Sequence, residues 1–184
     1  MKITCVQENL NKALIHSSRI ISIRSSLPIL DNILISTDQG RLKISATDLE
    51  LGINYWIGAK IEEEGSTTIP AKTFNDIVGA LPQGQVEMSL NVRTQSLNVR
   101  GGSFNNDVKC IDAQEFPPLP VPEMEGAVQL NVADFKEMIH QVSFAASTDE
   151  ARPVLMGVLM NVEKDKVTMA AADGFRLSVR KAQL

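Results

Sequence analysis

One passage of this chain is written twice. Laid over each other without a gap, LPILDNILISTDQGRLKISATD (27–48) and RPVLMGVLMNVEKDKVTMAAAD (152–173) stand 125 positions apart throughout. Pro28 meets Pro153, Leu30 meets Leu155 and Asp48 meets Asp173. Apolar residues fall on apolar residues at Ile29/Val154, Ile33/Val158, Leu34/Leu159, Leu42/Val167 and Ile44/Met169. Upstream, Leu10 lies over Phe135, Ala13 over Met138 and Leu14 over Ile139. Identities are few, but an ungapped register from residue 3 to residue 53 is hard to reach by chance. A repeat of this period is domain-sized rather than solenoid-sized. The chain therefore reads as a duplicated domain, one copy complete and about half of a second. Half a sheet leaves unpaired edges and an uncovered apolar face, so a fragment of a longer protein is expected.

The periodicity supplies the elements of each copy. KITCV alternates as a strand, and Leu10, Ala13, Leu14, Ser17, Ile20 and Ile21 then fall at helical spacing. ILDNILIST, RLKISATD, LELGINYWIGA and STTIP are β-rich runs, the first two separated by the turn signal DQG. Phe74, Ile77, Val78 and Leu81 make a second helical stripe before Pro82, followed by the alternating runs QVEMSLNV, SLNVRG and NDVKCID. Two short helices among many antiparallel strands define an α+β domain over residues 1–115. Residues 116–126 hold four of the eight prolines, Pro117, Pro118, Pro120 and Pro122. Such density forbids helix and central strand alike and predicts an extended, semi-rigid linker. From 127 to 184 the order begins again: strand AVQLNV, helix ADFKEMIHQVSFAAS, strands VLMGVLMNV and KVTMAAAD, then GFRLSVRK.

Composition narrows the function. No apolar run approaches the roughly 20 residues of a membrane span, and MKITCVQENL lacks the apolar core of a signal peptide. A cytoplasmic protein without membrane association is expected. Cys5 and Cys110 have no metal-like spacing and read as small buried thiols in a reducing cytosol. A net charge of −4 argues against gripping nucleic acid by bulk electrostatics. The charge is uneven: Lys2, Lys12, Arg19 and Arg24 face only Glu8 in residues 1–25, whereas Asp112, Glu115, Glu123 and Glu125 have no basic residue among them. Lys12, His16 and Arg19 fall at helical spacings opposite the Leu10/Leu14 stripe. Lys72 begins the second helix, and Lys136 and His140 lie on the outer side of the third. Mildly basic helix faces on an acidic protein suit a polyanion that is surrounded rather than seized.

Catalytic constellations are scarce. His16 and His140 lie in helices without a base–orienter arrangement. Asp48 has Glu50 two residues on, but Asp173 has no such companion, so no carboxylate cluster for a metal recurs in both copies. The ordinary reading of both aspartates is a turn residue bonding its own backbone. GALPQG and RGGSF are glycine-bearing turns without phosphate-loop spacing. No cofactor, metal or catalytic residue is expected. An α+β enzyme with a carboxylate site at Asp48 and Asp173, and an acidic protein-binding module that never meets DNA, are the rival readings.

LPILDNILI, ATDLE, EFPPLP, RPVLMGVLM and AADGFRLS, in this order and spacing, resemble the bacterial β sliding clamp family, the processivity subunit of DNA polymerase III holoenzyme. The resemblance covers essentially all of residues 1–184. It implies three copies of one domain per chain, with two chains closing head-to-tail into a ring around duplex DNA, helices inside and sheets outside. The expected partners are double-stranded DNA, the catalytic subunit of DNA polymerase III, clamp-loader subunits, other proteins with clamp-binding motifs, and a second copy of the chain. Arg24 matches a DNA-touching arginine of the family. Lys72 matches a basic pore position, Lys12 and Arg19 share the helix face, and STDEARP, with Asp149 and Arg152, matches another DNA-facing segment. Asp149 stands where a neutral residue is common, which weakens that contact. The family's pocket for short linear motifs maps, on its second-domain side, onto Leu155, Ala172, Gly174, Phe175, Arg176 and Leu177. Ala172 and Phe175 depart from the small polar residue and histidine often found there, which predicts a different motif preference.

Overall fold

The computed structural model describes residues 1–21, 27–121 and 125–183. The chain forms two compact units, Met1–Pro120 and Val121–Leu184.

In the first unit β1 (Lys2–Val6) runs directly into α1 (Gln7–Ser17). A 3-10 turn, Pro28–Asp31, then opens β2 (Asn32–Asp38), β3 (Arg41–Thr47) and β4 (Gly52–Glu63). The same order recurs as β5 (Ser66–Pro70), α2 (Ala71–Ala80), β6 (Gln85–Asn91), β7 (Ser96–Gly101) and β8 (Phe104–Lys109). The strands form one sheet in the order β5-β2-β3-β4-β1-β6-β7-β8, with antiparallel pairs throughout. The period of two in the strands sends Ile33, Ile35, Leu42, Ile44, Val86, Met88, Leu97 and Val99 inward. Leu10, Ala13 and Leu14 of α1 and Phe74 and Val78 of α2 complete the core. Each of these side chains other than Ala13 contributes about 1.5–3 kcal/mol by leaving water. The helices lie side by side in opposite directions. Gln7 Nε2 donates to the Val78 carbonyl (2.7 Å), and Asn75 Nδ2 donates to Ser18 Oγ (3.4 Å). This arrangement commits their inner faces to the core and leaves Lys12 and Lys72 exposed.

The DQG signal is a two-residue hairpin. Gln39 (φ 47°) and Gly40 (φ 75°) are both left-handed, which matches the turn to the twist of β2 and β3. The apolar spacing overstates α1, which ends at Ser17 rather than continuing to Ile21. The amides of Arg19 and Ile20 turn back onto the carbonyls of His16 and Ser17. β-Branched Ile20 and Ile21 disfavour a further turn of helix.

The second unit contains α3 (Val132–Ser143), a one-turn helix α4 (Pro153–Met156), β9 (Leu159–Glu163), β10 (Lys166–Ala172) and β11 (Leu177–Gln183). Displaced by 125, β10 coincides with β3, α4 with the Pro28–Asp31 turn, and the start of β11 with the start of β4. Asn131 Oδ1 caps α3 by accepting from the amides of Ala133 (2.9 Å) and Asp134 (3.4 Å). Met138, Val142, Ala145, Val167, Met169 and Ala171 form the core.

Two expectations change. AVQLNV is not a strand. Its counterpart β1 is held between residues 59–63 of β4 and 85–89 of β6, pairings that alternation within a run does not supply. VLMGVLMNV opens as helix, because Pro153 at the first helical position presets φ there, and becomes strand only at Leu159.

Candidate functional site

The duplicated aspartates build a pair of equivalent corners between successive strands. In the first, Asp48 Oδ1 accepts from the amides of Glu50 (3.0 Å) and Leu51 (2.7 Å). Thr47 Oγ1 accepts from the Leu49 amide (3.0 Å) and donates to the Leu51 carbonyl (2.7 Å). In the second, Asp173 Oδ1 accepts from the amides of Phe175 and Arg176, both at 2.9 Å, and Arg176 Nε donates to Asp173 Oδ2 at 2.9 Å. These donors hold both carboxyls below the ordinary value of 3.8, the leading cause being the Leu51 amide at Asp48 and the Phe175 amide at Asp173. Each aspartate is thus engaged in folding its own turn.

What the turns present differs. The residue after the aspartate is left-handed in both, Leu49 (φ 78°) and Gly174 (φ 94°). At Gly174 an added Cβ would lie 3.1 Å from Arg152 Nη1, so glycine brings the corner against the start of α4. Phe175 is 97% exposed, Val154 88% and Leu177 69%. Met156 is also exposed, while Leu155 and Ala172 are half-buried. The Arg176 guanidinium lies 5.6 Å from the centre of the Phe144 ring. The second corner is therefore an exposed apolar step, framed by an arginine, on a turn locked by hydrogen bonds. All six residues expected there lie at this corner or on α4 and β10 beside it. Val154, Met156 and Phe144 were not singled out from the sequence. Val154 was accessible to it, since it stands beside Pro153 in the repeat.

The basic residues are more dispersed. Lys12 is exposed on α1 and borders a hollow with Asn9, Tyr55, Trp56, Ile57 and Gly58. His16 packs its ring 5.6 Å from that of Tyr55. Arg19 is exposed but stands just past the helix rather than on it. Lys72 opens onto a cavity of about 580 Å³ with Ser18, Ile21, Asp31, Pro70, Ala71 and Asn75, beside the end of α1 after which Arg19 stands. Arg24 lies outside the described residues. In the second unit Asp149 Oδ2 accepts from Arg152 Nε (2.8 Å), and Asp149 Oδ1 accepts from the Ala151 amide. The acid thus neutralises the arginine of its own loop. Cys5 and Cys110 are buried, and burial pushes the Cys5 thiol up to about 12. Among the described residues no three acidic, histidine or cysteine side chains cluster to hold a metal ion. No described helix is long and apolar enough to cross a membrane.

Comparison with known proteins matches this architecture to a family. Residues 1–120 match the model for the DNA polymerase III beta subunit N-terminal domain, and residues 129–184 match the model for its central domain. The beta sliding clamp of Synechococcus elongatus is 38% identical over 186 residues, covering all of this chain and 49% of that protein. The DNA polymerase sliding clamp of Bacillus subtilis superposes with a TM-score of 0.94 at 31% identity, over the whole of this chain and 50% of its own. The sliding clamp of Bartonella birtlesii, solved bound to griselimycin, superposes with a TM-score of 0.90 at 30% identity, again over 100% of this chain and 50% of its own. The chain spans about half the length of the relatives it matches.

Proposed function

The chain belongs to the DNA polymerase III beta subunit family, and from that premise we propose that it serves in a sliding clamp, a ring around duplex DNA that keeps the replicative polymerase at the primer. The observation that carries this reading is the tandem. The run of elements from α1 to β4 recurs 125 residues on as α3 to β11, and the two units match successive domains of the family. A ring of such domains, closed head-to-tail by a second chain, holds DNA by topology and needs no bond chemistry of its own. The polymerase stays near its substrate because tethering raises its effective concentration.

The charge distribution supports it. Lys12, Arg19, Lys72 and Arg152 stand on exposed positions of a protein with a net charge of −4, and Arg24 belongs to the same proposed set. Contacts of this kind are few enough to break and re-form as the ring slides, whereas a strongly basic pore would stall. Asp149 reduces the contribution of its loop. The second corner, with Leu155, Ala172, Gly174, Phe175, Arg176 and Leu177, is proposed as one wall of the pocket for short motifs. The motifs would come from the polymerase catalytic subunit, clamp-loader subunits and other clamp-binding proteins. An exposed phenylalanine and leucine on a rigid turn can bury apolar side chains of an extended peptide, and Arg176 favours an acidic neighbour in it. We place the protein in the cytoplasm and assign it no cofactor.

The test is retention. The native gene product containing this sequence, loaded onto nicked circular DNA by its loader, is expected to co-elute with the circle and to be lost when the circle is linearised. Equal retention on both forms would refute encirclement. Lys12→Glu combined with Lys72→Glu is expected to shorten retention, most at low salt.

A further inference from the structure

The corner of the first unit is already occupied. After β8 the chain stays on the unit, with Thr68 and Ile111 exchanging backbone hydrogen bonds of 3.0 and 3.1 Å. Asp112 then caps a 3-10 turn, Ala113–Glu115, by accepting from the Gln114 amide at 2.9 Å. Phe116 is buried next, and the extended residues after it lay Leu119 and Pro120 on the corner. With Thr47, Leu49, Glu50, Leu51, Gly52 and Asn54 they leave a residual cavity of about 140 Å³. The approach is close. A Cβ placed on Gly52 would lie 2.7 Å from Leu119 Cδ2, nearer than such atoms pack, so any side chain at residue 52 would force the leucine methyl to shift. The position 125 residues on is Leu177, whose side chain denies its own corner the same approach.

We propose that the first corner is a binding groove for an extended apolar segment, filled in cis by this chain's own Leu119 and Pro120, with Leu119 as its anchor and the buried Phe116 holding the start of the segment on the unit. The ligand class follows from the occupant: a leucine flanked by prolines that hold the segment extended and limit the entropy lost on docking. A tethered occupant acts at an effective concentration in the millimolar range, so a free segment of the same chemistry does not displace it. The site becomes available in trans only when the anchors are removed. This device concerns the first unit alone and does not depend on the DNA-encircling reading.

A fluorescent peptide EFPPLP, copying Glu115–Pro120, provides the probe. The double variant Phe116→Ala/Leu119→Ala is expected to bind it at least tenfold more tightly than the unaltered chain, as read by anisotropy. A peptide with its leucine replaced by serine is expected to lose that gain. Equal binding to both chains, or none to the double variant, overturns the proposal. A second variant leaves the segment intact: Gly52→Leu copies the second corner and is expected to evict Leu119. In the unaltered chain the Leu119 methyls should show a nuclear Overhauser effect to the Gly52 Hα. In Gly52→Leu the same methyls should move to random-coil positions. Methyls that stay in place would also overturn it. Should the double variant lose the native fluorescence of Trp56, the methyl experiment decides alone.

Discussion

The two units carry the same apolar pattern and bury it differently. Leu42 and Val167, equivalent residues of β3 and β10, are both fully buried, because each central strand has a neighbour on either side and a helix above. Ile35 and Met160 are equivalent too, yet Ile35 is fully buried and Met160 is 44% exposed. β2 pairs with both β3 and β5, whereas among the described residues β9 pairs only with β10. Leu14 and Ile139 differ in the same way: α1 packs on α2, and α3 packs chiefly on β10 and β11. An apolar residue thus declares which face it belongs to, while the energy it contributes depends on what else reaches that face.

The largest effects should separate the units at equivalent positions. Ile35→Ala is expected to cost about 2–5 kcal/mol and Phe74→Ala about 3–5 kcal/mol, read by urea unfolding through Trp56, the chain's single tryptophan and a reporter of the first unit alone. Met160→Ala should cost less than about 1 kcal/mol, since its side chain already meets water, as followed by the amide resonances of β10. A Met160→Ala cost equal to that of Ile35→Ala would show that burial does not explain the difference.

The corners give a smaller contrast. Gly174→Leu forces a branched side chain into a left-handed position and toward Arg152, at an expected cost of about 1–2 kcal/mol. Leu49→Gly at the equivalent position of the first corner should not lower stability at all, because it relieves that strain. Both turns should also respond to acid. Since Asp48 and Asp173 are depressed in the folded chain, the unfolded chain binds protons first. The stabilisation is therefore complete above the ordinary aspartate value and lost as pH falls below it through the folded values. The amide shifts of Leu51 and Phe175 should titrate in that acid range, and neither should move between pH 6 and 8.

The smallest effect concerns Asp149. Its pair with Arg152 is exposed, so Asp149→Asn should change stability by less than about 1 kcal/mol. If the loop faces DNA, the same substitution frees Arg152 and should lengthen retention on circular DNA at low salt. Unchanged retention would place this loop away from the phosphates.

Much of this was legible beforehand because it is local. Alternation in KITCV, RLKISATD and SLNVRG, the DQG turn and the Phe74/Val78 stripe each depend on a few neighbouring residues, and each element formed where expected. The aspartate turns were legible for the same reason, since a short acidic side chain needs only its own backbone to fold a corner. AVQLNV misled because a strand is completed by partners remote in sequence, which alternation within the run does not reveal. Arg19 misled because apolar spacing says nothing about where β-branched residues end a helix.

By itself, then, the sequence determined the repeated unit, its α+β class, its strand and helix order, and the two aspartate corners. All of these follow from periodicity and short-range hydrogen bonding. Tertiary structure alone decided which copies of each apolar residue leave water, and which corner is closed and which is open. Gly52 and Leu119 are 67 positions apart in sequence, and only the path of the chain after β8 brings them into contact.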